Sequence, residues 1–139
     1  MPKFVLFSSK KEEWATPQAF FDTLNEEFRF TLDPCALHNN AKCSLFFTPL
    51  DDGLVQDWGG HTVFCNPPYG NKIAHWVEKC YRESRKDNTK VVMLIPARTD
   101  TIYFHKYIYG IAEIRFIKGR LKFGNARHPA PFPSMIVIF

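Results

Sequence analysis

Four consecutive residues, Asn66-Pro67-Pro68-Tyr69, carry the groups in this sequence that are best suited to chemistry. A residue that precedes proline is restricted to extended backbone, and proline has no N–H group, so this loop must be stiff and cannot continue a strand. The loop therefore holds two hydrogen-bond acceptors, the Asn66 carboxamide oxygen and the Pro67 carbonyl oxygen, beside the aromatic ring of Tyr69.

This arrangement suits the methylation of an aromatic amine such as the N6 amino group of adenine. The lone pair of that nitrogen is delocalised into the ring, and it becomes localised when two acceptors bind the two N–H bonds. A stacked aromatic ring holds the base flat, and such positioning can supply much of the lowering of a barrier. A general base is not essential, because the nitrogen proton becomes acidic once the methyl group is attached. A base in duplex DNA must first leave the helical stack.

The elements that must position this loop alternate between strands and helices. Thr16 and Pro17 predict the cap and the first residue of a helix whose apolar spacing continues to Phe28. A second helix should follow the loop, because apolar residues from Ile73 to Tyr81 recur at helical spacing. That helix is predicted to end at residues 87–88, and a third is predicted at residues 100–109. Strands are predicted at residues 30–33, 45–48, 62–65, 91–95, 112–117 and 135–139.

These elements predict a single α/β domain over residues 1–139, with residues 1–13 as a loosely held arm. The continuous apolar run at residues 91–95 is typical of a strand that is buried on both faces. No crossover-helix pattern is visible between residues 117 and 134, so the last strand should run antiparallel to the strand before it. A mostly parallel sheet with an antiparallel C-terminal strand is the layout of the Rossmann-like class I methyltransferase sandwich.

Several motifs together resemble those of the phage DNA N6-adenine methyltransferases of the Dam type. Residues 66–69 match the Asn/Asp-Pro-Pro-Tyr motif of amino-methyltransferases, and the whole resemblance covers roughly residues 12–139. Other segments match in order along the chain: Trp14-x-Thr16-Pro17, Asp33-Pro34, Asp52-Gly53-Leu54, residues 96–100, residues 118–120 and residues 131–134.

The resemblance implies S-adenosyl-L-methionine as the methyl donor. It implies that Asn66 and the Pro67 carbonyl bind the target N6, with Pro68 in the same loop, and that Tyr69 stacks on the base. One departure leaves open which groups hold the methionine part of the cofactor, because residues 33–40 contain no glycine where many methyltransferases have a Gly-rich loop. The implied cofactor contacts are Trp14, Thr16, Asp33, Asn40, Asp52 and Asn66.

The charge of the chain fits a polyanionic partner without requiring one. The formal net charge is +4 and the pI is about 8.9, a balance that many enzymes share. A basic stretch follows a strand that should run parallel to the catalytic strand, so it should lie at the catalytic edge, where the phosphates of double-stranded DNA must pass. An ordinary solvated loop is the alternative. The predicted DNA contacts are Arg98, Lys118, Arg120, Lys122 and Arg127.

Other interpretations remain open at this point. Asp33 could be a helix cap at the end of its strand, and Asp52 could be a solvated turn residue. The Asn-Pro-Pro-Tyr loop also fits a methyltransferase that acts on RNA or on a protein glutamine. A nucleic-acid-binding module with a lost cofactor site is the alternative outside enzymes, and the missing Gly-rich loop motivates it.

The sequence also excludes some classes of protein. No Cys-x-x-Cys pair is present, so the four cysteines are predicted to be reduced thiols in a cytosolic protein. The N-terminal apolar run is too short for a signal peptide, and no segment approaches the ~20 apolar residues of a membrane span. The histidines lack metal-ligand spacing, and the Pro-Cys-x-x-Cys and His-x-Glu elements of zinc deaminases are missing.

Overall fold

The computed structural model describes residues 15–124 and 128–139, so the arm predicted at residues 1–13 lies outside the described part of the chain. Each of the six predicted strands is found, although the first two have only two residues each. The elements in chain order are α1 (Gln18–Phe28), β1 (Leu32–Asp33), β2 (Leu45–Phe46), a 3-10 helix (Gly53–Val55), β3 (Thr62–Cys65), α2 (Ile73–Ser84), β4 (Lys90–Pro96), a π-helix (Phe104–Ile108), β5 (Glu113–Phe116) and β6 (Ser134–Ile138).

The strands form one sheet in the order β2-β1-β3-β4-β6-β5. Strands β1 to β4 pair in parallel, and β6 runs antiparallel to both of its neighbours, β4 and β5. Strand β5 is therefore parallel to β1 to β4. The predicted α/β class, the mostly parallel sheet and the antiparallel last strand are confirmed. The ends of β3, β4 and β5 consequently lie at one edge of the sheet, which we call the carboxyl edge.

The core forms around strands β3, β4 and β6 and the helices α1 and α2. Every residue of β6 and all of β4 after Lys90 are buried, which confirms the prediction of a strand covered on both faces. Phe64 of β3 packs edge-on against Phe21 of α1. The next residue, Cys65, points to the other face, where burial and the neighbouring Cys80 thiol of α2 raise its pKa. The two helices therefore cover opposite faces of the sheet.

The helix predicted at residues 100–109 is found, whereas details at the ends of the other two predicted helices are wrong. Helix α1 begins at Gln18 with Pro17 in the cap position, so Thr16 is not the cap and Pro17 is not the first helical residue. Helix α2 ends at Ser84, before the predicted stop at residues 87–88, because the Arg85 and Lys86 amides donate to carbonyls three residues earlier and tighten the last turn. The element predicted at residues 100–109 has a π-helix at its centre, in which the Tyr109 amide donates to the carbonyl five residues earlier.

Candidate active site

A cavity of about 360 Å³ opens at the carboxyl edge beside residues 66–69. Its volume falls in the range of ~300–1,000 Å³ that is typical of sites for small molecules and cofactors. The segments that follow β1, β2 and β3 supply much of its wall, as expected where parallel strands end. The predicted site residues that line it are Thr16, Asp33, Asn40, Asp52, Asn66 and Pro68.

The Asn66 side chain is oriented by a residue distant in sequence. Its Nδ2 atom donates a hydrogen bond of 2.9 Å to the Thr16 hydroxyl oxygen. Thr16 itself is buried, just before α1. This contact uses the amide nitrogen of Asn66 and so determines which way the carboxamide faces. The structure thus brings together Thr16, predicted to contact the cofactor, and Asn66, predicted to bind the target amine.

Tyr69 is more enclosed than the prediction of a stacking surface requires. The residue is 7% exposed, and its hydroxyl donates to the Leu94 carbonyl at 3.3 Å. The rings of Phe123 and Phe132 pack against its ring at centroid distances of 6.1 and 5.6 Å. Gly70, at φ +105°, gives the chain the turn that leads out of the loop. Base stacking on Tyr69 stays a prediction, and it requires one of the phenyl rings to move.

Asp33 ends β1 and holds the loop that follows it. One carboxylate oxygen accepts from the Cys35 amide at 3.3 Å, and the other accepts from the Lys42 amide at 3.0 Å. Burial nevertheless raises the pKa of Asp33 from 3.8 to about 6, against the lowering effect of these hydrogen bonds. Asp33 therefore caps the backbone of a loop, and the alternative interpretation of a helix cap is wrong because the described residues 34–44, which follow β1, contain no helix. Asp33 also lines the cavity, so its predicted contact with the cofactor remains open.

Asn40 and Asp52 both support backbone at the rim of the cavity. The Asn40 side-chain oxygen accepts from the Leu37 amide at 2.7 Å. Asp52 takes a left-handed φ of 57°, and its carboxylate accepts from the Leu54 amide at 3.1 Å. These contacts shape the cavity wall where a glycine-rich loop is missing. Direct contact of either residue with a cofactor stays a prediction.

Sequence reasoning did not predict several of the residues that line the cavity, among them Lys42, Lys72 and Trp76. Trp76 was assigned to the apolar face of a helix, which α2 confirms, but the same ring also reaches the cavity wall. Lys72 immediately precedes α2. Its position directly after the loop at residues 66–69 could have indicated from the sequence that it lies near the cavity. Lys42 donates to the Gln18 side chain at 2.8 Å, and no sequence pattern pointed to it.

The predicted DNA-binding residues lie at or near the carboxyl edge where the structure describes them. Arg98 is exposed after β4, and its guanidinium lies 6.0 Å from the centre of the Phe132 ring. Lys118, Arg120 and Lys122 are exposed after β5. Arg120 also donates to the Ala130 carbonyl at 3.4 Å, so it helps to hold its own loop. The other two predicted contacts, Arg127 of the DNA set and Trp14 of the cofactor set, lie outside the described residues.

Comparison with known proteins identifies the family. The family model described as DNA N-6-adenine-methyltransferase (Dam) matches residues 5–138. The chain belongs to this family. The match includes both the cavity and the loop at residues 66–69, so it confirms the resemblance carried by the sequence motifs.

Two curated relatives in this family come from phages. A protein named DNA N-6-adenine-methyltransferase from Haemophilus phage HP1 (strain HP1c1) is 33% identical over 139 aligned residues, which cover 94% of this chain and 80% of the relative. A protein of the same name from Escherichia phage T1 is 29% identical over 113 residues, which cover 80% of this chain and 47% of that relative. The shared region thus spans most of this chain.

The described residues lack two further kinds of feature. No helix among the described residues has the length and apolar character that a membrane crossing requires. Residues 15–124 and 128–139 also hold no group of three or more His, Cys, Asp or Glu side chains placed to bind a metal ion.

The contact between Thr16 and Asn66 gives a test of the family's reaction in this chain. Thr16→Val keeps the size of the buried side chain but removes the oxygen that accepts from Asn66. One lost hydrogen bond corresponds to about 1 kcal/mol, so we expect methyl transfer to fall about 5- to 10-fold. Thr16→Ser is the control, because it keeps the hydroxyl. Equal rates for the valine and serine variants would show that the contact does not orient Asn66.

Proposed function

We propose that this protein transfers a methyl group from S-adenosyl-L-methionine to the N6 amino group of adenine in double-stranded DNA. The observation that carries the proposal is the position of Asn66, which lines the cavity and is oriented by Thr16 at the start of the stiff Asn-Pro-Pro-Tyr loop. The family match and the names of the phage relatives support the same reaction. Such a reaction takes place in the cytoplasm, where the four cysteines, all unpaired in the structure, stay reduced.

The chemistry of the cavity wall suits S-adenosyl-L-methionine. Lys42 and Lys72 offer cations for the carboxylate of the methionine part, and Asp33 offers a carboxylate for its ammonium group. Trp76 adds a flat apolar surface for an adenine ring, and Asp52 lies in the same wall. These side chains supply the contacts that a glycine-rich loop makes elsewhere with its backbone amides. The cofactor, when bound, supplies the electrophilic methyl group.

The residues of the chain then act by binding and orientation. The Asn66 carboxamide oxygen and the Pro67 carbonyl accept hydrogen bonds from the two N–H bonds of the target amine. Those contacts direct the nitrogen lone pair toward the cavity and are strongest as positive charge develops on the nitrogen. Tyr69 holds the plane of the base after one of the neighbouring phenyl rings has moved. The proton released from the methylated nitrogen passes to solvent, so a buried base is not needed.

The direct test incubates the protein with duplex DNA and S-adenosyl-L-methionine labelled in its methyl group, followed by digestion and identification of the labelled nucleoside. We expect label in N6-methyl-2′-deoxyadenosine from DNA. RNA and a protein extract, supplied in parallel, are the control substrates. Label found only in RNA or only in protein glutamine would show that the substrate is not DNA. If no label is transferred to any of the three and the cofactor does not bind, the protein is a non-catalytic module.

The raised pKa of Asp33 predicts how cofactor affinity depends on pH. Near pH 5 the carboxyl of the free protein is mostly protonated, since its pKa is about 6, whereas a bound ammonium group requires the ionised form. Binding of S-adenosylhomocysteine, which carries the same amino acid group, should therefore be about tenfold weaker at pH 5 than at pH 7. Calorimetry at pH 5, 6 and 7 measures this change. The Asp33→Asn variant should bind S-adenosylhomocysteine more weakly at every pH, and its affinity should not depend on pH. Equal affinity of the wild type at all three pH values would show that Asp33 does not bind the ammonium group.

The cations at the carboxyl edge predict a change in the salt dependence of DNA binding. If Arg98, Lys118 and Lys122 each contact a phosphate, each alanine variant should lower the slope of log K against log salt by ~0.9 and leave cofactor affinity unchanged. Arg120→Ala should also loosen the loop, because Arg120 bonds the loop backbone. Lys90→Ala is the control, since Lys90 is exposed at the opposite end of β4. Wild-type slopes in all the variants would identify this surface as ordinary solvated loop.

A further inference from the structure

Two side-chain hydroxyl groups are buried near the carboxyl edge with no hydrogen-bond partner in the described part of the chain. They belong to Tyr103, which is 7% exposed, and Ser134, which is 1% exposed. The Thr101 hydroxyl lies close enough to Tyr103 to lower its pKa, against the larger upward effect of burial. The Thr101 hydroxyl already donates to the Arg98 carbonyl and accepts from the Phe104 amide, and it is not placed to complete a hydrogen bond with Tyr103. Among the described residues, neither buried hydroxyl therefore has an acceptor in hydrogen-bonding geometry.

Unpaired buried hydroxyls call for an explanation. A polar group that is removed from water without a partner lowers the stability of the fold, so most such groups in native proteins are paired. A phenylalanine in place of Tyr103, or an alanine in place of Ser134, would remove this cost and keep most of the apolar contacts. A role outside the stability of the fold would explain why hydroxyl groups occupy both positions.

Ser134 lies next to the residues that hold the Tyr69 ring. It pairs with Pro96 at the end of β4, and the Tyr69 hydroxyl donates to the carbonyl of Leu94 in the same strand. Two residues before Ser134, the Phe132 ring packs against the Tyr69 ring. The Ser134 hydroxyl is therefore buried beside the place where the target base is proposed to stack.

Tyr103 approaches the same place from the segment that follows β4. Burial is the main cause of the raised pKa of Tyr69, and the nearby hydroxyl of Tyr103 adds to that rise. Arg98, whose guanidinium lies over the Phe132 ring, lowers the pKa of Tyr103 through its charge. We call Tyr69, Ser134 and Tyr103 the cluster, since Ser134 begins the strand that pairs with β4 and Tyr103 lies in the segment that follows β4.

The cluster is at a suitable distance from the acceptors of the catalytic loop. Asn66 follows β3, and Ser134 begins β6, with only β4 between these two strands. Two strand spacings amount to ~10 Å. A purine ring that is hydrogen-bonded at one edge to the catalytic loop and at another edge to the cluster can bridge such a span.

We propose that the hydroxyls of Ser134 and Tyr103 donate hydrogen bonds to ring nitrogens of the target adenine when the base has displaced Phe132 from the Tyr69 ring. Adenine suits this division of contacts, because its N6 amino group is a donor and its ring nitrogens are acceptors. The loop at residues 66–69 supplies acceptors for the amino group, and the two hydroxyls supply donors for the ring. The inference rests on the proposed methylation of adenine.

The test compares Ser134→Ala and Tyr103→Phe with the wild type in three measurements: the thermal midpoint, the affinity for S-adenosylhomocysteine and kcat/KM for duplex DNA. We expect the midpoint to stay the same or rise, because an unpaired buried donor is removed, and the cofactor affinity to stay the same. We expect kcat/KM to fall about tenfold in each variant, as for the loss of one hydrogen bond to the bound base. Ser134→Cys, which has a similar size but a weaker donor, should show a smaller loss.

Matched variants separate this role from a structural one. Ser84→Ala removes a hydroxyl that donates to the Tyr81 carbonyl, and Tyr107→Phe changes a tyrosine that packs against Tyr81; both should keep the wild-type kcat/KM. A lower midpoint in Ser134→Ala and Tyr103→Phe would overturn the proposal, because it would assign the hydroxyls to a bound water that supports the fold. Unchanged kcat/KM in both would overturn it as well. If the wild type itself does not methylate DNA, the proposed function fails instead, and the wild-type measurement reveals that separately.

Discussion

Asn66→Ala is expected to lower kcat for methyl transfer by about 100-fold or more, the scale seen when one preorganised polar contact at a reacting centre is removed. The substitution takes away an acceptor for the target amine, and that contact strengthens only as the transition state forms, so kcat should change far more than KM. The fold should remain, because Asn66 is only half-buried and its side chain bonds to a loop residue, Thr16. Single-turnover rates and thermal midpoints measure the two effects.

Asn66→Asp tests whether an acceptor oxygen at this position is what methyl transfer requires. Aspartate keeps two acceptor oxygens at the position, and the Thr16 hydroxyl can donate to one of them in place of accepting from the amide. We therefore expect Asn66→Asp to retain much more activity than Asn66→Ala. A folded alanine variant with a normal turnover rate, or an aspartate variant as inactive as the alanine variant, would contradict the assigned role of an acceptor.

Gly53→Ala should distort the cavity that is proposed to bind the cofactor. A Cβ atom at this position would lie 2.1 Å from the Pro34 carbonyl oxygen and 3.0 Å from the Trp76 ring. The chain must move, because the nearest atom belongs to backbone, and both neighbours are part of the cavity wall. Overpacking of this kind costs about 1–3 kcal/mol of unfolding free energy. We also expect cofactor affinity to fall about tenfold or more, as measured by calorimetry with S-adenosylhomocysteine.

Gly59→Ala is the matched control for this variant. The nearest atoms to a Cβ at Gly59 belong to the Asp57 and Lys86 side chains, at 3.1 and 3.4 Å, and these ends can shift at the protein surface. Both substitutions add the same methyl group to a glycine near a turn, so they differ mainly in what that group meets. If the two glycine variants bind the cofactor equally well, the close approach of Gly53 to Pro34 is not what shapes the cavity.

The position of the catalytic loop could be predicted from sequence because its signals are local. The apolar run at residues 62–65 and the prolines after Asn66 predict a strand that stops abruptly, and the structure places the end of β3 at Cys65. The direction of β6 was predicted from a missing crossover helix, which again is a property of one segment. Composition and spacing within ten or so residues therefore predicted most of the architecture at the site.

Contacts between distant segments could not be predicted in this way. Thr16 was interpreted as a helix cap from its neighbours, whereas its hydroxyl instead accepts from Asn66, fifty residues later in the chain. Tyr69 was predicted as an open stacking surface, because no local pattern shows that Phe123 and Phe132 enclose it. The insertion of β6 between β4 and β5 also depends on side-chain packing across the whole sheet rather than on any motif.

The place of β6 in the sheet has a consequence for how the protein is made. Strand β6 is the last of the six in chain order, yet it lies between β4 and β5. While a ribosome is still synthesising residues 117–133, β4 has one bare edge and β5 has no strand beside it. Unpaired strand edges invite pairing with other chains, so the nascent protein passes through an interval of aggregation risk. This interval closes only when β6 has left the ribosome and can pair with both neighbours, so the yield of active protein should be sensitive to chaperones and to translation speed.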